Sequence, residues 1–309
     1  MRKRPDSSSC TIASRVRTAM ESRTFRRTEL EGRAWYRTRM HPYFDVPVPT
    51  VIGHRGASGE LPENTIASFG LAVTQGARIL ESDVHLSRDG ALVLIHDDVL
   101  ERTTDGRGRV ADHTLAELRA LDAGHLFSPA GDGTFPFRGR GLQIPTLEEA
   151  LMAFPALHWN LEIKEHIPAL IDETIATVRK LGREESVLLA AAEDPIMRDL
   201  RAALARTGTR SAVGASVGDV LAFVRAALDG APPPPGPMAL QVPPGFGDRP
   251  LVTRQFVEHA HAHGLVVHVW TVNEPAEMHR LLDLGVDGIM SDFPGRVAAV
   301  LAERGVRRG

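Results

Sequence analysis

The chain has almost no cysteine and no long apolar segment. Cys10 is the only cysteine in 309 residues, which excludes an intramolecular disulfide and leaves no sign of an oxidising compartment. No stretch approaches the roughly 18 consecutive apolar residues that a transmembrane helix needs, and the N-terminal segment lacks the apolar core of a secretory signal. The sequence therefore predicts no stable membrane insertion, and we expect a cytoplasmic protein.

Lysine is also scarce. Only Lys3, Lys164 and Lys180 are lysines among the 36 Lys and Arg residues of the chain, so the other 33 are arginines. Where arginine is the default cation, a lysine indicates a position that a compact ammonium fits better than a planar guanidinium. Lys164 is of particular interest because it follows a strand-like segment.

The positive charge is concentrated at one end. Residues 1–40 contain eleven Lys and Arg and four Asp and Glu, a net charge of +7, which leaves −10 for the rest of a chain whose total is −3. Neither interleaved aromatic residues nor an amphipathic face accompanies this charge. We therefore expect residues 1–45 to form a disordered basic leader, and we expect no nucleic-acid partner.

Strand-like and helical segments alternate from residue 50 onward, which predicts βα units of the α/β class. We expect one domain over 46–305, folded as a (β/α)8 TIM barrel. Since a closed barrel needs eight parallel strands, one candidate is surplus, and we expect it to be 210–215 or 238–243. The nine strand candidates are 51–56, 79–86, 92–97, 158–164, 187–192, 210–215, 238–243, 265–272 and 288–292.

The segment 97–145 is too long for an ordinary barrel connection. It contains one amphipathic helical pattern at 114–121 and then a stretch rich in Gly and Arg at 131–141. Long connections at the carboxyl ends of strands often carry function. We interpret 97–145 as a lid beside the barrel mouth, with a passive surface insertion as the alternative.

Three carboxylates are placed to meet inside the barrel. Glu81 and Asp83 are two residues apart on one strand and so share a face, as do Asn160, Glu162 and Lys164 on another. Carboxylates that point into a barrel are costly unless they are paired or bind a metal. Oxygen ligands suit Mg²⁺ or Ca²⁺, so we predict that Glu81, Asp83 and Glu162 bind one divalent cation.

Two cations accompany these acids and indicate an anionic substrate. The formal charges of Arg55, Lys164 and the three carboxylates sum to −1, and a divalent cation changes this net charge to +1. Positive charge of this kind stabilises the charge that develops on phosphoryl oxygens. The pattern therefore predicts metal-assisted cleavage of a small phosphodiester, with Arg55 and Lys164 contacting the phosphate.

Cleavage of a phosphodiester also needs two proton transfers. His54 and His96 each end a strand-like segment, where barrel enzymes place their chemistry, and imidazole transfers protons near neutral pH. We predict that both are catalytic and leave open which is the acid and which the base. Asn64 and Thr65 are expected to cap the following helix, and His85 is expected at the surface or in the lid.

Six short fragments of the sequence together resemble the pattern of bacterial glycerophosphodiester phosphodiesterases. They are His54-Arg55-Gly56, Pro62-Glu63-Asn64-Thr65, Glu81-Ser82-Asp83, His96-Asp97, Glu162-Ile163-Lys164 and Trp270-Thr271-Val272-Asn273. The resemblance covers about residues 50–302. It implies a TIM barrel, a divalent metal, and hydrolysis of glycerophosphodiesters to sn-glycerol 3-phosphate and an alcohol. It places the catalytic, metal-binding and phosphate-binding roles on the residues named above. Independently of the resemblance, Trp270 on its strand could form an apolar wall for the alcohol or could pack in the core. Ser82 departs from the usual apolar residue, which we interpret as a change in packing.

Other activities remain open at this stage. A lysophospholipase D or a sphingomyelinase-D-like enzyme would use the same metal and histidines on a lipid diester. Lys164 could instead form a Schiff base, as in class I aldolases, or the site could bind a phosphate ester without turnover. The sequence predicts neither the alcohol group nor the oligomeric state.

Overall fold

The computed structural model describes residues 41–306. The chain divides after Asp45 into two units, and the described part of the first contains the short 3₁₀ helix Pro42–Phe44. The predicted leader lies almost entirely outside the described residues, so its disorder stays a prediction. The remaining elements belong to the unit that begins at Val46.

Eight parallel strands form a nearly closed barrel. Their order around the wall is β6, β5, β4, β2, β1, β11, β10, β7, and the N–H of Met238 donates to the Val213 carbonyl oxygen at 2.8 Å across the remaining gap. The predicted TIM barrel is confirmed. The strands of the domain are β1 (Thr50–Gly53), β2 (Ile79–Leu86), β3 (Leu92–Leu94), β4 (His158–Ile163), β5 (Val187–Ala190), β6 (Ala212–Val213), β7 (Ala239–Val242), β8 (Gly245–Phe246), β9 (Arg249–Pro250), β10 (Val266–Val269) and β11 (Gly288–Ser291).

The surplus strand is β3, so the expectation that 210–215 or 238–243 lies outside the barrel is wrong. Both segments contribute wall strands, β6 and β7, whereas β3 pairs antiparallel with β2. The reversal between them is tight, since the Ser87 N–H donates to the Ala91 carbonyl oxygen at 2.9 Å. Such a short connection can join only antiparallel strands, because a parallel partner needs a crossover of a dozen residues or more.

Helices follow the strands as the alternation predicts, and their ends carry recognisable signals. The Thr65 side chain accepts a hydrogen bond from the Ser68 N–H and begins the first helix, as expected of an N-cap. Capping boxes begin the helices after Thr114, Thr146 and Ser216. The helices are α1 (Ile66–Thr74), α2 (Leu115–Arg119), α3 (Leu147–Ala153), α4 (Pro168–Lys180), α5 (Asp194–Thr207), α6 (Val217–Asp229), α7 (Arg254–Ala262), α8 (Pro275–Leu284) and α9 (Pro294–Glu303).

The insertion between β3 and α3 packs on an apolar core of its own. Its centre is formed by buried side chains from β3, α2 and the connecting segments, and it is separate from the main barrel core. A packed core of this kind holds its polar side chains in fixed positions. That the insertion serves as a lid stays a prediction. The buried members are Val93, Ile95, Leu100, Val110, Leu118, Ala123 and Ile144.

Within residues 41–306, no helix has both the length and the apolar character needed to cross a membrane.

Candidate active site

The three predicted metal ligands meet on the paired strands β2 and β4. The strand register pairs Glu81 with Asn160 and Asp83 with Glu162, so the acids of both strands point to the same face. One oxygen from each of Glu81, Asp83 and Glu162 lies within 4.8 Å of the others. Three carboxylate oxygens converging at this distance fit a hard divalent cation of the Mg²⁺ or Ca²⁺ type.

The electrostatics of this acidic cluster also fit a cation. Glu81 is 4% exposed and Asp83 is 1% exposed. Burial, followed by the charge of Asp83, raises the pKa of Glu81 to about 8. The site therefore holds its negative charge poorly without a counter-charge, and a divalent cation among these oxygens would supply one.

Arg55 approaches the cluster from the loop after β1, where its backbone is left-handed with φ of 53°. In this conformation the Arg55 N–H donates to Glu81 Oε2 at 3.0 Å, and Nη1 donates to Glu63 Oε1 at 2.9 Å. Its Nε lies 3.5 Å from Asp83. Gly56 allows this close turn, because a Cβ there would lie 2.4 Å from Ser68 Oγ. The loop thus places a guanidinium beside the acids.

Asn64 belongs to this site and does not cap the helix, so that part of the capping prediction is wrong. Its Nδ2 donates to Asp83 Oδ2 at 3.1 Å, and its Oδ1 accepts from Ser82 Oγ at 2.7 Å. The cap is Thr65 alone. Asn64 can reach Asp83 because its own φ is 55°, a left-handed value that asparagine tolerates. Ser82 is therefore a polar support for Asn64, which corrects its interpretation as a packing change.

His54 is held by a carboxylate that the sequence reasoning did not identify. Its Nδ1 lies 2.6 Å from Asp292 Oδ1, and its Nε2 lies 4.0 Å from Glu81 Oε2. Burial lowers the pKa of His54, but the bond to Asp292 and the charge of Glu81 outweigh it, so the pKa is raised. Asp292 also accepts hydrogen bonds from Ser58 and Asn273. Burial raises its pKa, yet its bonds to His54, Asn273 and Ser58 together bring it down to about 2.

His96 has an equivalent arrangement on the other side of the cluster. Its Nδ1 lies 2.6 Å from Asp97 Oδ1, and its Nε2 lies 3.3 Å from Lys164 Nζ. Because an ammonium only donates, Nε2 is the acceptor and the ring proton is on Nδ1. His85 is buried against this segment, with Nε2 3.1 Å from the His96 carbonyl oxygen and Nδ1 3.0 Å from Glu165. Its expected place at the surface or in the lid is therefore wrong.

Lys164 lies between the acids and His96. Its Nζ is 3.5 Å from Asp83 Oδ1 and 3.5 Å from Glu162 Oε1. A compact ammonium fits among three partners on different elements, whereas a guanidinium would need planar partners. That a guanidinium would not fit at position 164 stays a prediction from composition.

Trp270 follows β10 at the same end of the barrel and is 41% exposed, so it is not a core residue. Its N–H donates to the Val242 carbonyl oxygen at 3.0 Å, which holds it beside the end of β7. The short hairpin of β8 and β9 begins there, and Phe246 in this hairpin is 63% exposed. Two large apolar side chains therefore stand at neighbouring strand ends.

Comparison with known proteins agrees with this geometry. Residues 54–296 match the model of the glycerophosphoryl diester phosphodiesterase family. The chain is 33% identical over 267 residues to a glycerophosphodiester phosphodiesterase of Bacillus subtilis, covering 79% of this chain and 83% of that protein. It is 29% identical to a lysophospholipase D of Rattus norvegicus, covering 81% of this chain and 85% of the relative. A phosphodiesterase of Oleispira antarctica, solved with the product sn-glycerol-3-phosphate, superposes with a TM-score of 0.64 at 29% identity, covering 82% of this chain and 97% of that one.

Proposed function

Because this chain belongs to the glycerophosphoryl diester phosphodiesterase family, we propose that it hydrolyses glycerophosphodiesters to sn-glycerol 3-phosphate and an alcohol. One observation supports the proposal above all. Two histidines, each bound by a carboxylate, lie at one end of the barrel beside a cluster of three acids and two cations. Each group corresponds to one requirement of the reaction.

Glu81, Asp83 and Glu162 would hold the divalent cation, Mg²⁺ or Ca²⁺. When bound, the cation supplies positive charge that polarises a phosphoryl oxygen. The Arg55 guanidinium and the Lys164 ammonium border the cluster, each 3.5 Å from an Asp83 oxygen, so a phosphate that enters the site meets both. They would bind its remaining oxygens and stabilise the charge that develops there.

His54 and His96 would carry the protons. A water oxygen forms a bond to phosphorus while the bond from phosphorus to the alcohol oxygen breaks. One histidine removes the proton of the water, and the other protonates the departing alkoxide. In each histidine a carboxylate binds Nδ1, which leaves Nε2 directed towards the reacting groups.

The central experiment measures release of sn-glycerol 3-phosphate from a panel of glycerophosphodiesters, glycerophosphocholine among them. Activity should disappear after exhaustive chelation and return with Mg²⁺ or Ca²⁺. His54→Ala and His96→Ala should each lose turnover while metal affinity, measured by calorimetry, is kept. Full turnover by the chelated protein, or no turnover of any diester by the metal-loaded protein, would refute the proposal.

An activated leaving group distinguishes the acid from the base. A p-nitrophenolate leaves without protonation, so the variant that lacks the acid should regain much of its activity on a p-nitrophenyl phosphodiester. The variant that lacks the base should stay inactive on the same substrate. If His54→Ala and His96→Ala respond alike, the division of proton transfers between them is wrong.

A second candidate substrate class, lipid diesters, is favoured by the exposed Trp270 and Phe246. Apolar side chains at the mouth would contact an acyl chain, and their burial by it would contribute roughly 25 cal/mol per Å². Phe246→Ser and Trp270→Ala should then raise KM for lysophosphatidylcholine more than for glycerophosphocholine. Met152→Ser, an equally exposed change on α3, is the matched control. A wild-type enzyme that does not cleave lysophosphatidylcholine would reject this second function.

A further inference from the structure

Arg102 lies in the insertion and binds two carboxylates at once. Its Nη1 donates to Glu63 Oε2 at 2.7 Å, and its Nη2 donates to Glu63 Oε1 at 2.8 Å. Its Nε donates to Asp97 Oδ2 at 2.5 Å. One planar guanidinium thus makes a bidentate contact with one carboxylate and a third bond to another.

Each of these carboxylates holds a group of the active site through its other contacts. Glu63 Oε1 accepts a hydrogen bond from Arg55 Nη1 at 2.9 Å. Asp97 Oδ1 lies 2.6 Å from His96 Nδ1. A continuous chain of charge-assisted hydrogen bonds therefore runs from the guanidinium proposed to bind phosphate, through Arg102, to one proposed proton carrier. The order along this chain is Arg55, Glu63, Arg102, Asp97, His96.

The segment that carries Arg102 is well anchored in the insertion. Leu100 is fully buried in the core of the insertion, and its N–H donates to the Gly108 carbonyl oxygen at 3.0 Å. The Thr104 hydroxyl donates back to the Leu100 carbonyl oxygen at 2.8 Å. These contacts fix the backbone on both sides of Arg102. The side chain of Arg102 is 44% exposed, but it extends from a fixed backbone position.

We propose that Arg102 is a positioning residue that sets the orientation of Arg55 and His96 together. This inference rests on the proposed function, because Arg102 would act only through the roles proposed for Arg55 and His96. The carboxylates Glu63 and Asp97 need an opposite charge to stay in place, and Arg102 supplies it to both. When Arg102 is lost, each carboxylate can turn away, and both the phosphate contact and the proton transfer are misaligned. Displacements near 1 Å in such groups cost on the order of 10²-fold in rate.

The geometry requires arginine. A lysine ammonium is a point charge with three donors on a flexible stem, so it can approach Glu63 or Asp97 but cannot reproduce the bidentate contact and the third bond together. Arg102→Lys should therefore restore little of the activity that Arg102→Gln loses. A general requirement for positive charge in the insertion would predict the opposite, because Lys keeps the charge.

The test compares steady-state kinetics on glycerophosphocholine with saturating metal. Arg102→Gln should raise KM and lower kcat, with kcat/KM reduced roughly 10- to 100-fold. Glu63→Gln should act mainly on KM, through Arg55, and Asp97→Asn mainly on kcat, through His96. In the double variant Glu63→Gln/Asp97→Asn, adding Arg102→Gln should lower kcat/KM far less than it does in the wild type, because the charges of both partners and the bidentate contact are already lost.

Two controls separate positioning from simple attachment of the insertion. Arg88 also binds the insertion, through the Asp112 carbonyl oxygen at 2.7 Å and Glu117 at 3.1 Å, and neither bond involves an active-site group. Arg88→Gln should leave kcat and KM near wild type. In Arg102→Ala, guanidinium ion at a non-denaturing concentration should restore part of kcat, whereas urea at the same concentration should not.

Several results would overturn the inference. These are unchanged kinetics in Arg102→Gln, equal losses in Arg88→Gln and Arg102→Gln, full recovery by Arg102→Lys, or additive effects in the triple variant. Urea unfolding of each variant shows whether it is folded, and if Arg102→Ala is not, the comparison of Arg102→Gln with Arg102→Lys still decides. A wild-type enzyme without turnover would instead refute the proposed function, so the two failures are distinguishable.

Discussion

Replacing Glu81 with glutamine should make the metal-free protein more stable at neutral pH while it weakens metal binding. In the folded protein, burial and the charge of Asp83 raise the pKa of Glu81 from 4.5 to about 8. The folded state therefore binds a proton that the unfolded state has released at pH 7. Stability from this group is complete below about pH 4.5 and is lost as the pH rises through about 8.

The size of the effect follows from the pKa difference. Each pKa unit corresponds to about 1.4 kcal/mol, so the linkage costs the wild type less than about 1 kcal/mol at pH 5 and about 3 kcal/mol at pH 7. Glutamine carries no charge and its amide oxygen can still accept the Arg55 N–H. Glu81→Gln should therefore unfold at higher urea than the wild type at pH 7, and at nearly the same urea at pH 5, with EDTA in both cases.

Addition of metal should reverse the order. A cation that binds only the folded state stabilises it by about 4.1 kcal/mol at a thousand times its Kd, which exceeds the roughly 3 kcal/mol that the linkage costs at pH 7, and Glu81→Gln removes one of its three oxygen anions. Glu258→Gln, on an exposed position of α7, should change neither curve. A metal-free Glu81→Gln protein that is less stable than wild type at pH 7 would refute the reasoning, as would an equal response of both proteins to Mg²⁺ or Ca²⁺.

Two further substitutions test contacts that the structure adds to the site. Asp292→Asn should lower kcat on the order of 10²- to 10⁴-fold, because an amide can donate to Nδ1 of His54 and so stabilise the other tautomer. Ser58→Ala removes a different bond to the same carboxylate and should lower kcat far less. A similar loss of kcat in both variants would contradict the role of Asp292. Thr65→Ala should reduce the free energy of unfolding by about 1 kcal/mol, because it removes the cap of α1. Thr65→Ser keeps a capping hydroxyl and should have nearly the wild-type free energy of unfolding. Urea unfolding of the two variants measures the difference.

The acidic cluster could be predicted because its geometry is local. Side chains two residues apart on a strand share a face, and parallel strands present their carboxyl ends at one edge, so Glu81, Asp83 and Glu162 had to approach one another once β2 and β4 were neighbours. The positions of Arg55 and Lys164 follow in the same way, since each lies within two residues of the end of a wall strand.

Asp292 could not be found by the same reasoning, because its contact with His54 joins residues 238 positions apart. The contact depends on closure of the barrel, which places β11 beside β1 with Ser291 in register with Gly53. A signal was nevertheless present, since Asp292 directly follows the last strand and a closed barrel must place its last strand next to its first. Arg102 carried no comparable signal, and Asn64 belonged to the fragment Pro62-Glu63-Asn64-Thr65 but was assigned to the helix cap. Their roles depend on the fold of the insertion and on a left-handed backbone at Asn64.

The carboxylates that sequence reasoning did not count change the electrostatic argument for the metal. With all six carboxylates ionised, Glu63, Asp97, Asp292 and the three ligands carry −6, and Arg55, Lys164 and Arg102 carry +3. The net charge of these groups is then −3 with neutral histidines, and −1 with a divalent cation. A net charge of −1 does not itself attract a phosphate, so its binding depends on the nearest charges, and Arg102 offsets part of the charge of Glu63 and Asp97. Glu63 and Asp97 contact Arg102 at 2.5 to 2.8 Å, and Coulomb energy falls with distance.

The same pairing makes the two histidines unequal. His54 has Asp292 at Nδ1 and Glu81 4.0 Å from Nε2, and both acids raise its pKa. Glu81 is also a proposed metal ligand, so its charge would be shared with the cation, and only Asp292 would then oppose the loss of the His54 proton. His96 instead has an ammonium, Lys164, at Nε2, so its lone pair already points towards the cluster. Metal binding should therefore lower the pKa of His54 relative to the metal-free protein.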